Sequence, residues 1–216
     1  MALRSLIHAF LGAPAPFVAP QSLRPLPSEL RLRAYSPEDK SSCTAIYETN
    51  EPNRFPTGFA DDFCRYLDDI DFLKLVFCAH GRPVAIGGIR RYPTFRAQRA
   101  WLVFGIISPG YHNKGIGTAL LLSRLAALPK PRAPTELLMS TVPASIGFFR
   151  RFGFSDRGPM KTGHARAALN VCAAHLSAEG WHNCRLALRS IGISPDGLPA
   201  VPTVDIWRRS MRGRQE

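Results

Sequence analysis

A chain of 216 residues that is 45% hydrophobic and 20% charged carries enough apolar side chains to bury one substantial core, which excludes a disordered or fibrous polypeptide. Its formal net charge of +12 suits a polyanionic partner: nucleic acid, an anionic membrane surface or a phosphorylated small molecule. A dedicated nucleic-acid module is not expected, because the basic residues form no block longer than a pair (Arg90 with Arg91, Arg150 with Arg151, Arg208 with Arg209) and no aromatic ladder accompanies them.

No window approaches the roughly 18 to 20 uninterrupted apolar residues of a membrane span. The five cysteines are odd in number and never in CxxC spacing, and the histidines form no HExxH pair. That pattern points to a reducing, cytoplasmic setting with no disulfide framework and no metal.

In chain order, residues 1–28 stand apart. They lack acids and are rich in proline, and Leu3, Leu6, Ile7, Phe10 and Leu11 recur at helical spacing. A short amphipathic helix and a Pro-rich tether are expected there; a poor secretory signal and an arginine-poor transit peptide are the competing readings. A main domain then spans 29–176, and residues 177–216 form a C-terminal helix and basic tail.

Within the main domain, "LRLRAY" alternates as a strand does, and "SPEDK" opens a helix reaching about Asn50, with Pro37 in its first turn. A loop, "EPNRFPTG", precedes a second helix from Phe59 to Asp69. "FLKLVFCAHGRPVAIGGIRRY" reads as two strands joined at His80-Gly81. "AWLVFGIIS" is apolar throughout and is predicted to be a central strand buried on both faces.

A leucine-rich helix follows the glycines and must stop before "PKPRAP". "TELLMSTV" is the next strand, and a short helix from Ala144 to Phe152 ends at Gly153. "FSDRGPMKT" and "ARAALNVCAAHL" form an antiparallel pair turning at Gly163, and Ser177 caps a last helix that runs to Gly192.

The stretch "ISPGYHNKGIGTALL" carries the chemistry. A strand ending near Pro109 and a helix starting near Lys114 leave helix N-terminal amides without carbonyl partners, at the positive end of the helix dipole. Gly115 and Gly117 carry no Cβ, so an anion can approach the main chain, and phosphate is the natural guest. A Walker loop would need lysine where Ile116 stands, and a dinucleotide fingerprint a third glycine where Leu120 stands. Taken alone, the glycines could also do no more than permit a tight turn.

The run "SPGYHNKGIGTALL", preceded by "WLVFGIIS" and followed by "IGFFRRFGF", resembles the GNAT superfamily of acyl-CoA N-acyltransferases, whose signature Gln/Arg-x-x-Gly-x-Gly/Ala is matched at Gly115 and Gly117. The resemblance implies an α/β fold: a mixed, mostly antiparallel sheet of about seven strands, splayed between the fourth and fifth, with helices on both faces. It implies acetyl-CoA (coenzyme A) as co-substrate, with its pyrophosphate on the loop formed by His112, Asn113, Lys114, Gly115, Ile116, Gly117 and Thr118. The pantetheine arm is then expected along Phe104, Gly105, Ile106 and Ile107, where the Ile107 amide can polarise the thioester carbonyl.

Three positions depart from the family's usual residues. His112 stands for the Gln/Arg. Phe149, expected in the cofactor wall, stands where many members carry a tyrosine that protonates the thiolate. Trp101 stands where the histone-modifying branch carries a glutamate base. Without a base, a lysine acceptor of pKa about 10.4 is handicapped by about 4 to 5 kcal/mol at pH 7, against about 1 for an α-amino group near 8. Either the acceptor is a weakly basic amine or a base comes from elsewhere.

Glu51, in the loop that overhangs the acceptor side of this fold, is the candidate base. Arg90, Tyr92 and Ser140 are candidate substrate contacts, and Tyr111 beside the loop is a further one. The reading is an N-acetyltransferase acting on a small-molecule or peptide amine; its alternative is a catalytically inert acyl-CoA sensor or interaction module.

Overall fold

His80 and Gly81 both hold positive φ, at 50° and 80°. Two central residues of that conformation make the hairpin turn whose twist matches its strands. The hairpin joins β2 (Leu73–Ala79) to β3 (Arg82–Pro93). Around it a computed structural model describes residues 14–51, 55, 58–93, 98–160 and 169–204. The expected helix at residues 3–11, the turn at Gly163 and the basic tail beyond 204 lie outside the described residues.

The remaining strands are β1 (Leu30–Ala34), β4 (Gln98–Ile107), β5 (Thr135–Thr141), β6 (Ser155–Pro159) and β7 (Asn170–Leu176). Together they form one seven-stranded sheet of order β1-β2-β3-β4-β5-β7-β6. Only β4 and β5 pair in parallel; every other neighbouring pair is antiparallel. This is the mixed, open sheet expected from the sequence.

Helices cover both faces. On one side α1 (Lys40–Glu48) and α2 (Ala60–Asp68) bury Cys43, Ile46, Tyr47, Phe63 and Tyr66 against Val76, Cys78, Ile86 and Ile106. On the other, α3 (Ile116–Ala126) and α5 (Ala178–Arg189) pack with Leu75, Phe77, Ile89 and Leu102. Successive residues of a strand point to opposite faces, so β2, covered on both, is buried along its whole length. A short helix, α4 (Pro143–Arg150), follows β5.

Capping fixes where the helices begin. Before α1, a 3-10 turn starts at Pro37, and Asp39 reaches back to accept the Ser36 amide at 2.9 Å. The Ser177 hydroxyl accepts the Gly180 amide at 3.0 Å and starts α5.

Both flanks of the main domain pack on it. Phe17 is buried, stacked on Phe152 and edge-on to Phe154, and its amide donates to the His175 carbonyl at 2.7 Å. From there the chain crosses toward Gly115. At the other end, residues near 203 run beside β3, where the Val204 amide donates to Arg91. No helix among the described residues is long and apolar enough to cross a membrane.

Candidate active site

β4 and β5 pair from Gln98–Thr135 to Leu102–Met139 and then part, although β4 runs on to Ile107 and β5 to Thr141. The cause is local. The β3–β4 register shifts between Ile86 and Gly88, and Phe104 sits at φ 43°. An extra residue in one strand bends it away from its neighbour.

A non-glycine residue in that conformation costs about 1–3 kcal/mol. Ring contacts offset the cost: Phe104 lies 4.8 Å from Tyr66, 5.1 Å from Phe63 and 6.1 Å from Phe55, centroid to centroid. The apolar run of β4 is therefore not buried on both faces as expected. Its C-terminal half is partly open, because it lines the gap.

That gap is a cleft of about 840 Å³ between residues 102–107 of β4 and residues 139–142 at and just beyond the end of β5. The Ser108 amide donates to Val84 on the β3 side. Alternate residues of a strand aim their amides at opposite edges, so the Ile107 amide turns to the open edge. The Ile107 carbonyl is already held, by the Asn50 side-chain amide at 3.0 Å and His112 Nε2 at 2.8 Å.

The cleft opens onto the start of α3. Gly115 caps the helix at φ 82° and no side chain caps it; the amides of Ile116, Gly117 and Thr118 have no hydrogen-bond partner among the described residues. A Cβ on Gly117 would stand 3.2 Å from Ile107 Cδ1 and 3.6 Å from Phe148, so glycine there keeps that end open.

Charge in the cleft has one sign. Arg24, His112, Arg124 and Arg151 line it, and no Asp or Glu does so among the described residues. Arg24 Nη1 donates to the Asn113 carbonyl at 3.1 Å. Arg151 rests its guanidinium 4.9 Å from the Phe148 ring. A smaller cavity of about 270 Å³ continues beyond, and Arg24, Gly115, Thr118 and Arg151 line both.

Of the residues expected from sequence, Phe104 to Ile107, His112, Asn113, Gly115, Gly117, Thr118, Ser140 and Phe149 line the cleft. The Ile116 side chain packs in the core while its amide stays at the helix start, and Lys114 Nζ lies 4.8 Å over the Tyr111 ring. Glu51, Arg90, Tyr92 and Trp101 are not among the lining residues. Glu51 Oε1 accepts the Gly58 amide at 3.2 Å. Arg90 sits over the rings of Phe72 and Tyr92, near Asp69.

Sequence reasoning missed Asn50, Arg24, Arg151 and Arg124. Arg124 left a signal, a lone charge in the leucine-rich "GTALLLSRLAAL". Among the described residues no group of three or more His, Cys, Asp or Glu is placed to hold a metal ion.

A sequence model of the acetyltransferase (GNAT) family matches residues 40–154. No curated protein matches the chain in sequence. The fold is shared with an acetyltransferase of the GNAT family from Staphylococcus aureus Mu50, at 16% identity over 68% of this chain and 98% of that one, with a TM-score of 0.54. It is shared with FeeM, an N-acyl amino acid synthase from uncultured soil microbes, at 14% identity over 74% and 97%, TM-score 0.55. RimL, a ribosomal L7/L12 alpha-N-protein acetyltransferase in complex with coenzyme A, is similar at 12% identity over 73% and 99%, TM-score 0.51.

Proposed function

The chain belongs to the GNAT acetyltransferase family and is a transferase, and we propose that it moves an acetyl group from acetyl-CoA to a weakly basic amine. The observation that carries this reading is the union of three features in one cleft: an open strand edge, a helix N-terminus that no side chain caps, and a lining with three arginines and no described carboxylate.

The residues present fit coenzyme A. The amides of residues 116–118 and the guanidinium groups of Arg24 and Arg151 offer donors to its phosphates. The free edge of β4 offers main-chain groups to the pantetheine amides, as an added strand would. The Ile107 amide, turned to the same edge, is placed to donate to an oxyanion. Asn50 and His112 hold the carbonyl of that residue and so fix its peptide plane.

An amine of low pKa fits the absence of a described acid in the lining, since such an amine is already partly neutral at pH 7. That RimL carries coenzyme A in its structure and acts on α-amino groups by its name agrees with both parts of the reading. The test is release of free thiol from acetyl-CoA with a panel of amines. Peptide α-amines and other weak bases should turn over well ahead of lysine side chains at pH 7. Efficient lysine acetylation with no response to α-amines would overturn the acceptor assignment, and no thiol release with any amine would overturn the activity.

A further inference from the structure

Arg124 sits two turns along α3 from Gly117, and it is only 3% exposed. Burying a cation without a partner is among the least favourable arrangements a core can hold, yet no carboxylate pairs with it among the described residues. Its Nε donates to the Leu120 carbonyl at 3.3 Å, and Nη1 to the carbonyls of Gly88 and Val103 at 3.4 and 3.3 Å. Those long bonds fix the plane of the fork. Nη2 makes no hydrogen bond among the described residues.

The neighbours leave room for this group. A Cβ at Gly87 would stand 3.1 Å from the guanidinium carbon, and one at Gly105 would stand 3.2 Å from Nη2. Gly105 and Arg124 both line the cleft, beside the bulge at Phe104. Burial pushes the Arg124 pKa down to about 10, so the group still carries its charge at pH 7. Phe149, in the same lining, has no hydroxyl to offer a leaving group.

Resting on the function proposed above, we infer that Arg124 is a catalytic residue: its free Nη2 donates to the coenzyme A sulfur and holds the negative charge that the sulfur acquires. In that step the amine nitrogen forms the new C–N bond, the C–S bond breaks with its electron pair passing to sulfur, and the surplus ammonium proton goes to water. Arg124 keeps all its protons throughout. A guanidinium is suited to this because it stabilises charge without having to transfer a proton.

The experiment reads the thiol of coenzyme A in the bound complex. Thiolate absorbance is followed against pH, with the complex of desulfo-coenzyme A as the blank because the chain has five cysteines of its own. The other groups of the lining that carry or gain charge are Arg24, His112 and Arg151, with the buried Tyr66 hydroxyl across the sheet beside Gly88. All are common to the variants compared.

The reference is the midpoint of free coenzyme A titrated in the same buffer. In the wild-type complex the midpoint should fall by about one unit or more, Arg124→Met should restore it, and Arg124→Lys should lie between. The same variant should lower kcat on the order of 100-fold with KM for acetyl-CoA nearly unchanged. Should Arg124→Met not fold, Gly105→Ala, which presses on Nη2, supplies the second perturbation and should raise the midpoint. Bound coenzyme A with an ordinary midpoint that no variant moves overturns the role of Arg124 while leaving the proposed function intact. Failure of coenzyme A to bind at all overturns both.

Discussion

Arg24 Nη1 lies 3.1 Å from the carbonyl of Asn113, so a residue preceding the matched span 40–154 stands at the mouth of the proposed phosphate site. An exposed charge of this kind contributes about 1 kcal/mol at moderate salt. Arg24→Ala should therefore weaken coenzyme A binding roughly five-fold, and Arg24→Lys much less. Calorimetric titrations at low and high salt check this, because the difference between wild type and Arg24→Ala should shrink as salt rises.

Phe17 anchors the segment that carries Arg24. Replacing a buried phenylalanine by alanine costs about 3–5 kcal/mol, which in a chain of this length lowers Tm by on the order of 10 °C. Phe17→Ala should show that loss and also reproduce the weaker coenzyme A binding of Arg24→Ala. Scanning calorimetry and ligand titration on one preparation measure both.

The two loop glycines should fail differently. At Gly115, with φ 82°, a Cβ would meet neighbours only at ordinary distances of 3.5–3.8 Å, so Gly115→Ala brings about 1–2 kcal/mol of backbone strain and little steric block. At Gly117 the backbone is helical and the constraint is space. Gly117→Val must displace Ile107 and Phe148 at the end of the cleft, and coenzyme A affinity should fall tenfold or more. Denaturant titration and ligand binding, taken together, separate the two effects.

Arg33 and Asp39 give the fold an acid-sensitive contact. Arg33 Nη1 and Nη2 reach the Asp39 carboxylate at 2.5 and 2.8 Å, and the Ser36 amide adds a third donor. Arg33 chiefly, with the Ser36 amide assisting against burial, holds the Asp39 pKa below its usual value. A depressed folded-state pKa means the stabilisation is complete above the unfolded value near 3.9 and is lost as pH falls through the folded one. Wild type should exceed Asp39→Asn in stability by a constant margin from pH 7 to 5, and the margin should narrow below about pH 4 in denaturant titrations.

Element order was legible because the hydrophobic period changes cleanly between strands and helices and because His80-Gly81, Pro37 and Ser177 mark their own turns and caps. The loop at Gly115 was legible for the same reason. Side-chain direction was not. The apolar residues 103–107 look the same in sequence whether they face a core or a ligand groove, and only the bulge at Phe104 decides it. Glu51 drew notice as an acid, yet its neighbour Asn50 reaches the cleft while Glu51 caps Gly58. The path of residues 14–28 has no periodicity to read, which hid Arg24. Arg124 reads as an interruption of a leucine stripe until three carbonyls and two glycines are seen to surround it.

Everything in the account depends on a diphosphate settling on the amides of Ile116, Gly117 and Thr118. Calorimetric titration of the full chain with coenzyme A measures that directly. The account predicts one site per chain, with affinity falling as salt rises and at least tenfold weaker in Gly117→Val. No heat and no thermal stabilisation by coenzyme A, or binding that Gly117→Val leaves unchanged, would contradict it.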